Sequence, residues 1–262
     1  MIRAVLFDLG GTLHTGDMPR GRDIWFARRV LDRLADYGIA VGATPEELAE
    51  KLPVNSEIYK HHSEQTLREL SSVEIWNDYF LRDYHIGRER LAPLAEELSF
   101  LYDYERPRVM RRPQLKETME ELRDMGLRLG VISNIISRSV VPHFLAEYDI
   151  DRYMDCVITS AETGIRKPDP EIFRVAERRL GLAPEELAYV GDTISRDVRG
   201  TRNAGWALMI RIRFPGTAHR DAGLENAGFE PDFTVNELYE IPAIIRSVNA
   251  SSNGAALTRS NL

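Results

Sequence analysis

Ala4-Val5-Leu6-Phe7-Asp8-Leu9-Gly10-Gly11-Thr12-Leu13 lies almost at the start of the chain, and its reading decides the fold. Four apolar residues run into an aspartate, two glycines and a threonine. A short unbroken apolar run is the mark of a strand buried on both faces. Glycine, free of a Cβ, lets the chain turn sharply where such a strand stops. Asp8 is then delivered at the carboxyl end of a central strand, the edge at which open parallel sheets bind ligands. The same residues are also compatible with a buried strand that ends in an ordinary turn, so the rest of the chain has to decide.

Beyond Leu13 the pattern changes to helix. Ile24, Ala27, Val30, Leu31 and Leu34 recur at helical spacing, and Thr44-Pro45-Glu46-Glu47 has the form of a helix start with a capping box. Val73, Ile75, Trp76, Tyr79 and Phe80 mark a further helix that runs to near Gly87, and Leu91, Leu94, Leu98 and Leu101 mark another. From Pro107 strands and helices alternate. Strands are expected at 127–132, 154–159, 187–190, 206–212 and 233–235, and helices at 113–125, 139–148, 170–180, 197–204 and 238–248. That alternation implies a parallel sheet with helices on both faces. The reading is an α/β protein: a core of residues 1–14 and 106–249, an all-helical cap of residues 15–105 inserted after the first strand, and a flexible tail at 250–262, where small polar residues gather.

Composition narrows the function classes. The chain has 262 residues, 43% hydrophobic and 29% charged, as in ordinary globular proteins. A formal net charge of -7 argues against a general nucleic-acid or acidic-membrane binder. Cys156 is the single cysteine, which excludes an internal disulfide and a cysteine metal cluster, and its apolar setting reads as core. The sequence shows no signal-peptide pattern and no apolar run of membrane-spanning length, so the expected setting is the cytoplasm.

Four short motifs follow predicted strands: Asp8-Leu9-Gly10-Gly11-Thr12, Ser133-Asn134, Lys167-Pro168, and Gly191-Asp192 with Asp197. Each alone is an ordinary turn or helix cap. Together, in this order and at strand ends, they are placed to meet at one sheet edge.

These stretches, with Gly164-Ile165-Arg166-Lys167-Pro168-Asp169-Pro170 and the run from Val190 to Gly205, resemble the haloacid dehalogenase superfamily of hydrolases with a helical cap. The resemblance covers nearly the whole chain and implies a Rossmann-like core with the first strand central. It implies a phosphatase for a small phosphorylated metabolite, with Asp8 as nucleophile and Mg²⁺ held by Asp8, the Gly10 carbonyl and Asp192. Asp197 would orient a metal-bound water or bind directly. The hydroxyls of Thr12 and Ser133 and the amide of Asn134 would hold phosphoryl oxygens, and Lys167 would neutralise charge. The chemistry suits these types: hard cations prefer oxygen ligands, and phosphoryl transfer needs an in-line nucleophile and compensating charge. Arg166 is expected to face solvent.

One position departs from the family pattern. Most phosphatases of this kind carry an aspartate two residues after the nucleophile, to protonate the leaving oxygen; here that position is Gly10. Such assistance is typically worth 10²–10⁴-fold. His14, Asp17, His61 and His62 are candidate substitutes. Alternatively the substrate has a good leaving group, or the chain is a non-catalytic phosphate-sensing or protein-interaction module. A 2-haloacid dehalogenase also lacks that aspartate, but Gly191-Asp192 points away from it; a phosphonate hydrolase would need a cap lysine, Lys51 or Lys60. The cap is expected to hinge at 14–19 and 105–113. Arg20, Arg22, Lys60, His61 and His62 are placed to meet an anionic substrate, and Trp25, Trp76, Tyr79 and Phe80 to form the cap core.

Overall fold

A computed structural model describes residues 1–224 and 228–259 of the protein. Its centre is the first apolar run. Strand β1 (Ala4–Phe7) is fully buried, and its alternate residues pack on opposite faces. Val5 and Phe7 join one apolar cluster with Leu129, Val131 and Val190, while Ala4 and Leu6 join another with Ile132, Ile158 and Tyr189. This is the burial on both faces that an unbroken apolar strand implies.

The other strands are β2 (His14–Asp17), β3 (Arg108–Arg111), β4 (Arg128–Ser133), β5 (Met154–Thr159), β6 (Leu187–Gly191), β7 (Leu208–Ile212) and β8 (Phe233–Val235). Six of them form a parallel sheet in the order β5-β4-β1-β6-β7-β8. The register sets Phe7 beside Val131 on one side and Val190 on the other. Residues just beyond these positions, Asp8, Ser133 and Asp192, therefore emerge together at the carboxyl edge. From β1 the later strands are laid down outward in both directions, β4 and β5 on one side and β6 to β8 on the other, which is the sheet position that forms a crevice.

The insertion between β2 and β3 is built from helices joined by short loops, with one isolated bridge from Arg68 to Ile165. Its main helices are Arg22–Asp36, Pro45–Thr66 and Ala95–Tyr104. Thr44 caps the second with the capping box read from the sequence. The periodic run at 73–80 becomes a short α-helix, Ser72–Glu74, continued by a π-helical turn, Ile75–Phe80, and the run of leucines splits into Arg88–Leu91 and Ala95–Tyr104. Trp76 and Phe80 fill the cap core and Tyr79 packs against it. Trp25 does not: it is 39% exposed, with the Arg22 guanidinium 3.9 Å from its ring centroid.

The two segments read as hinges pair with each other, His14–Asp17 antiparallel to Arg108–Arg111, so the cap stands on a two-stranded ribbon. Four-residue strands rich in charge and glycine carry no periodic signal, and the pairing joins distant parts of the chain. Arg22 donates from Nε to the Arg106 carbonyl at 3.1 Å, bracing this ribbon's approach, and does not line the cavity at the sheet edge. The closing helix, Ile241–Arg259, continues past the point where the sequence reading starts a tail; residues 260–262 lie outside the described ones. Cys156 is buried in the sheet, as expected. Among the described residues no helix is long and apolar enough to cross a membrane.

Candidate active site

The carboxyl edge of the sheet opens into a cavity of about 550 Å³ between core and cap. Asp8, Gly10, Ser133, Asn134, Lys167 and Asp192 all line it. The Lys167 ammonium is the hub. Its Nζ lies 2.9 Å from Asp8 Oδ1 and 2.7 Å from Asp197 Oδ1, and donates to Tyr189 Oη at 2.8 Å. Tyr189 in turn donates to the Ile132 carbonyl at 2.7 Å. Asn134 fixes the lysine backbone: its Oδ1 accepts from Lys167 N at 2.8 Å and its Nδ2 donates to Lys167 O at 2.9 Å. The side chain of Asn134 is thus spent on holding Lys167.

Asp197 stands behind this hub and away from the cavity wall. Its Oδ2 accepts from the backbone N–H and the hydroxyl of Thr193, at 2.9 and 2.6 Å. Asp192 accepts from the Thr217 hydroxyl. One oxygen from each of Asp8, Asp192 and Asp197 lies within 4.8 Å of the others. Three carboxylates against one ammonium leave the pocket short of positive charge. Burial, then the charges of Asp197 and Asp8, push the Asp192 carboxyl up to about 7. Burial also raises Asp8, against the pull of Lys167. For Asp197 burial works upward too, but Lys167 and Thr193 outweigh it and hold the carboxyl below its usual range. Burial would lower Lys167, yet Asp197 and Asp8 keep it above its ordinary value and hence charged. A cluster of oxygen donors whose charges repel one another fits a hard divalent cation.

The turn after Asp8 is built for close approach. Gly11 has φ +85°, and a Cβ there would lie 2.3 Å from Asp192 Oδ2. Its carbonyl accepts from Arg112 Nη2 at 2.7 Å; Arg112 also donates to the carbonyls of Arg213 and Asn236, tying the turn to the neighbouring loops. Gly10 is the opposite case. It is exposed to the cavity, and a Cβ there would meet nothing within 4 Å. A side chain can therefore start from this position without a clash at its Cβ.

Not every predicted residue reaches the cavity. Thr12 is fully buried outside its wall, and the Thr12 hydroxyl has no hydrogen-bond partner among the described residues. His61 and His62 lie on the helix Pro45–Thr66 and do not line the cavity. Lys51 sits over the Tyr84 ring and Lys60 pairs with Glu57 at 3.0 Å. Asp17 does line the cavity but is paired with Arg108. His14 lines it too; burial lowers its pKa to about 4, and its Nδ1 shares a hydrogen bond of 2.9 Å with Tyr148 Oη. At neutral pH it carries no acidic imidazolium.

Arg166 contradicts its expectation most. It is buried and forms an ion pair with Glu69 of the cap, whose side chain is 0% exposed. Glu69 also accepts from Ser160 Oγ at 2.6 Å and from the Tyr59 hydroxyl. Backbone bonds flank the pair: Glu69 N to Gly164 O and Arg166 N to Leu67 O, both 3.1 Å. The cap is thereby joined to the loop that carries Lys167. Tyr189, Thr217, Arg112 and Glu69 were all missed by sequence reasoning, because their roles depend on partners far along the chain.

The sequence of residues 2–205 matches the family model described as haloacid dehalogenase-like hydrolase. The chain belongs to this family. A glyceraldehyde 3-phosphate phosphatase of Methanopyrus kandleri is 29% identical over 249 residues, covering 95% of this chain and 99% of that protein. A phosphoserine phosphatase of Thermus thermophilus is 35% identical over 149 residues, 56% of each chain. Among solved structures, a HAD phosphatase from Thermococcus onnurineus is 27% identical with a TM-score of 0.58, covering 93% of this chain and 98% of that one. A 2-haloacid dehalogenase from Pseudomonas syringae is 25% identical with a TM-score of 0.64, covering 94% and 99%. The haloacid dehalogenase-like hydrolase described here thus has relatives of two chemistries.

Proposed function

We propose that this hydrolase is a Mg²⁺-dependent phosphatase of a small phosphorylated metabolite. The observation that carries the reading is the Lys167 ammonium set between Asp8 and Asp197, with Asp192 beside them, at the wall of a 550 Å³ cavity. Asp8, Asp192 and the Gly10 carbonyl would hold the cation, which when bound supplies charge neutralisation for the phosphoryl oxygens. The phosphatase names of the relatives support the substrate class.

In the first half-reaction an Asp8 carboxylate oxygen attacks phosphorus, the ester P–O bond breaks, and the leaving oxygen takes up a proton. In the second, water attacks the phosphoaspartate, the P–O bond to Asp8 breaks, phosphate leaves and the water proton is accepted by the protein. Lys167 favours the ionised form of Asp8 against burial, orients it, and would stabilise charge that grows on the phosphoryl group. Asp197 positions Lys167. Ser133, at the end of β4, faces the same cavity and offers a hydroxyl. Thr12 receives no role, since its hydroxyl lies outside the wall.

The acidic cluster favours this chemistry over halide displacement, which develops no charge needing a divalent cation. Hydrolysis of an aryl phosphate is the test. Turnover that needs Mg²⁺ and vanishes in Asp8→Asn supports the reading. Failure to turn over any member of a broad phosphate panel, with halide released from a 2-haloacid instead, refutes it.

A further inference from the structure

The phosphatase reading leaves a proton unassigned, since Gly10 replaces the expected acid. Among the described residues lining the cavity, the titratable groups sort quickly. Asp8 and Asp192 belong to the acidic cluster, and Lys167 is committed to Asp8 and Asp197. Asp17 is paired with Arg108, Arg196 is paired with Glu64, and His14 is neutral. One group remains, Asp103, near the end of the helix Ala95–Tyr104 that returns from cap to core.

Asp103 is held in a defined orientation. Its Oδ2 accepts from Ile136 N at 3.1 Å and Ser137 N at 2.9 Å, in the loop that follows Ser133-Asn134. Its Oδ1 has no hydrogen-bond partner among the described residues, and Asp103 lines the cavity. We propose that Asp103 is the proton donor to the leaving oxygen, replacing from the cap side the carboxyl that Gly10 lacks. The proposal rests on the phosphatase reading.

The balance is simple. As the ester P–O bond breaks, the Asp103 proton passes to the leaving oxygen, giving an alcohol and an Asp103 carboxylate. When water attacks the phosphoaspartate, that carboxylate takes the water proton and is restored to the acid. The electrostatics suit a carboxyl that must start protonated. Burial, aided by the nearby Glu69 and Glu96 charges, lifts it to about 8 against the pull of the two amides. Glu69 is itself paired with Arg166, and Glu96 is spent on Ser137, Arg138 and Ser139. A purely structural anchor for the 136–137 amides would need only an acceptor, which asparagine also supplies.

The test compares wild type and Asp103→Asn, with Mg²⁺, on phosphate esters whose leaving groups range from nitrophenol to simple alcohols. Loss of a general acid should cost alkyl esters about 10²-fold or more in kcat and leave nitrophenyl phosphate within a few fold. Wild-type kcat should fall as pH rises through about 8, and that fall should disappear in Asp103→Asn. Gly10→Asp added to Asp103→Asn should recover alkyl turnover, since that side chain enters open space. Equal losses on both ester classes with an unchanged pH profile would overturn the role of Asp103 alone. No wild-type turnover on any ester would sink the phosphatase reading and this proposal with it. Should Asp103→Asn fail to fold, Asp103→Glu decides: a preserved alkyl-to-aryl ratio supports the role, and a tenfold drop in alkyl turnover without recovery by Gly10→Asp counts against it.

Discussion

Replacing Arg166 by methionine strikes the contact that joins cap to core. The variant leaves the Glu69 carboxylate in a site where its side chain is 0% exposed, with only hydroxyl donors to face it. Removing one partner of a buried ion pair typically costs about 3–5 kcal/mol, because the other charge stays behind without compensation. For a protein of this size each kcal/mol lowers the melting temperature by about 2–4 °C, so a fall of about 6–20 °C is expected. Glu69→Gln with Arg166→Met removes both charges while keeping an acceptor for Tyr59 and Ser160, and should regain most of the loss. The double-mutant cycle, read by urea unfolding, isolates the coupling. Activity reports the second consequence. Arg166 precedes Lys167, and the Arg166 N–H bonds the Leu67 carbonyl of the cap. Loosening that anchor should lower kcat on an aryl phosphate by about 10–10²-fold at temperatures where the variant is still folded, as expected for displaced reacting groups. A single variant costing under about 1 kcal/mol, or a double variant no more stable than the single, refutes the argument that this pair is a buried, mutually dependent lock.

Three further outcomes follow from the same geometry. Gly10→Asp in the otherwise unchanged chain should raise kcat on alkyl phosphates more than on aryl ones; equal gains on both would count against the missing-acid account. Gly11→Ala should lower stability by at least about 1–2 kcal/mol for its left-handed backbone alone and abolish any Mg²⁺-induced rise in melting temperature, since a Cβ there lies 2.3 Å from Asp192 Oδ2. Burial depresses His14 from 6.5 to about 4, so the unfolded chain binds the extra proton between these values. Stability from this source is complete above about pH 6.5 and is lost as pH falls toward 4, by up to roughly 3 kcal/mol. His14→Gln should flatten that slope in denaturant titrations across this range, and an unchanged slope would refute the assignment.

The parts of this protein that could be read from its sequence share one physical property: their cause is local. Ala4 to Phe7 is apolar at every position because the strand is covered on both sides, and that pattern survives as a string of letters. Thr44 and Glu47 cap a helix within four residues, and Gly11 turns where only glycine fits. Topology then does the rest, since a parallel sheet places the ends of β1, β4 and β6 at one edge and so brings Asp8, Ser133 and Asp192 together. What could not be read depends on partners chosen by the fold. Arg166 sits among charged and polar residues and looks solvated, yet it is buried because Glu69, from another domain-sized segment, completes it. His14–Asp17 has no strand-like spacing, and pairs only because Arg108–Arg111 returns beside it. Asp103 was overlooked for the same reason: a carboxyl on a cap helix becomes a cavity group only when that helix packs on the loop after β4. The motif edge of the site is thus encoded locally and the cap edge by packing. It follows that two chains with the same four motifs can differ in how the leaving group is protonated, because the residues that settle it lie on the side of the cavity that no local pattern describes.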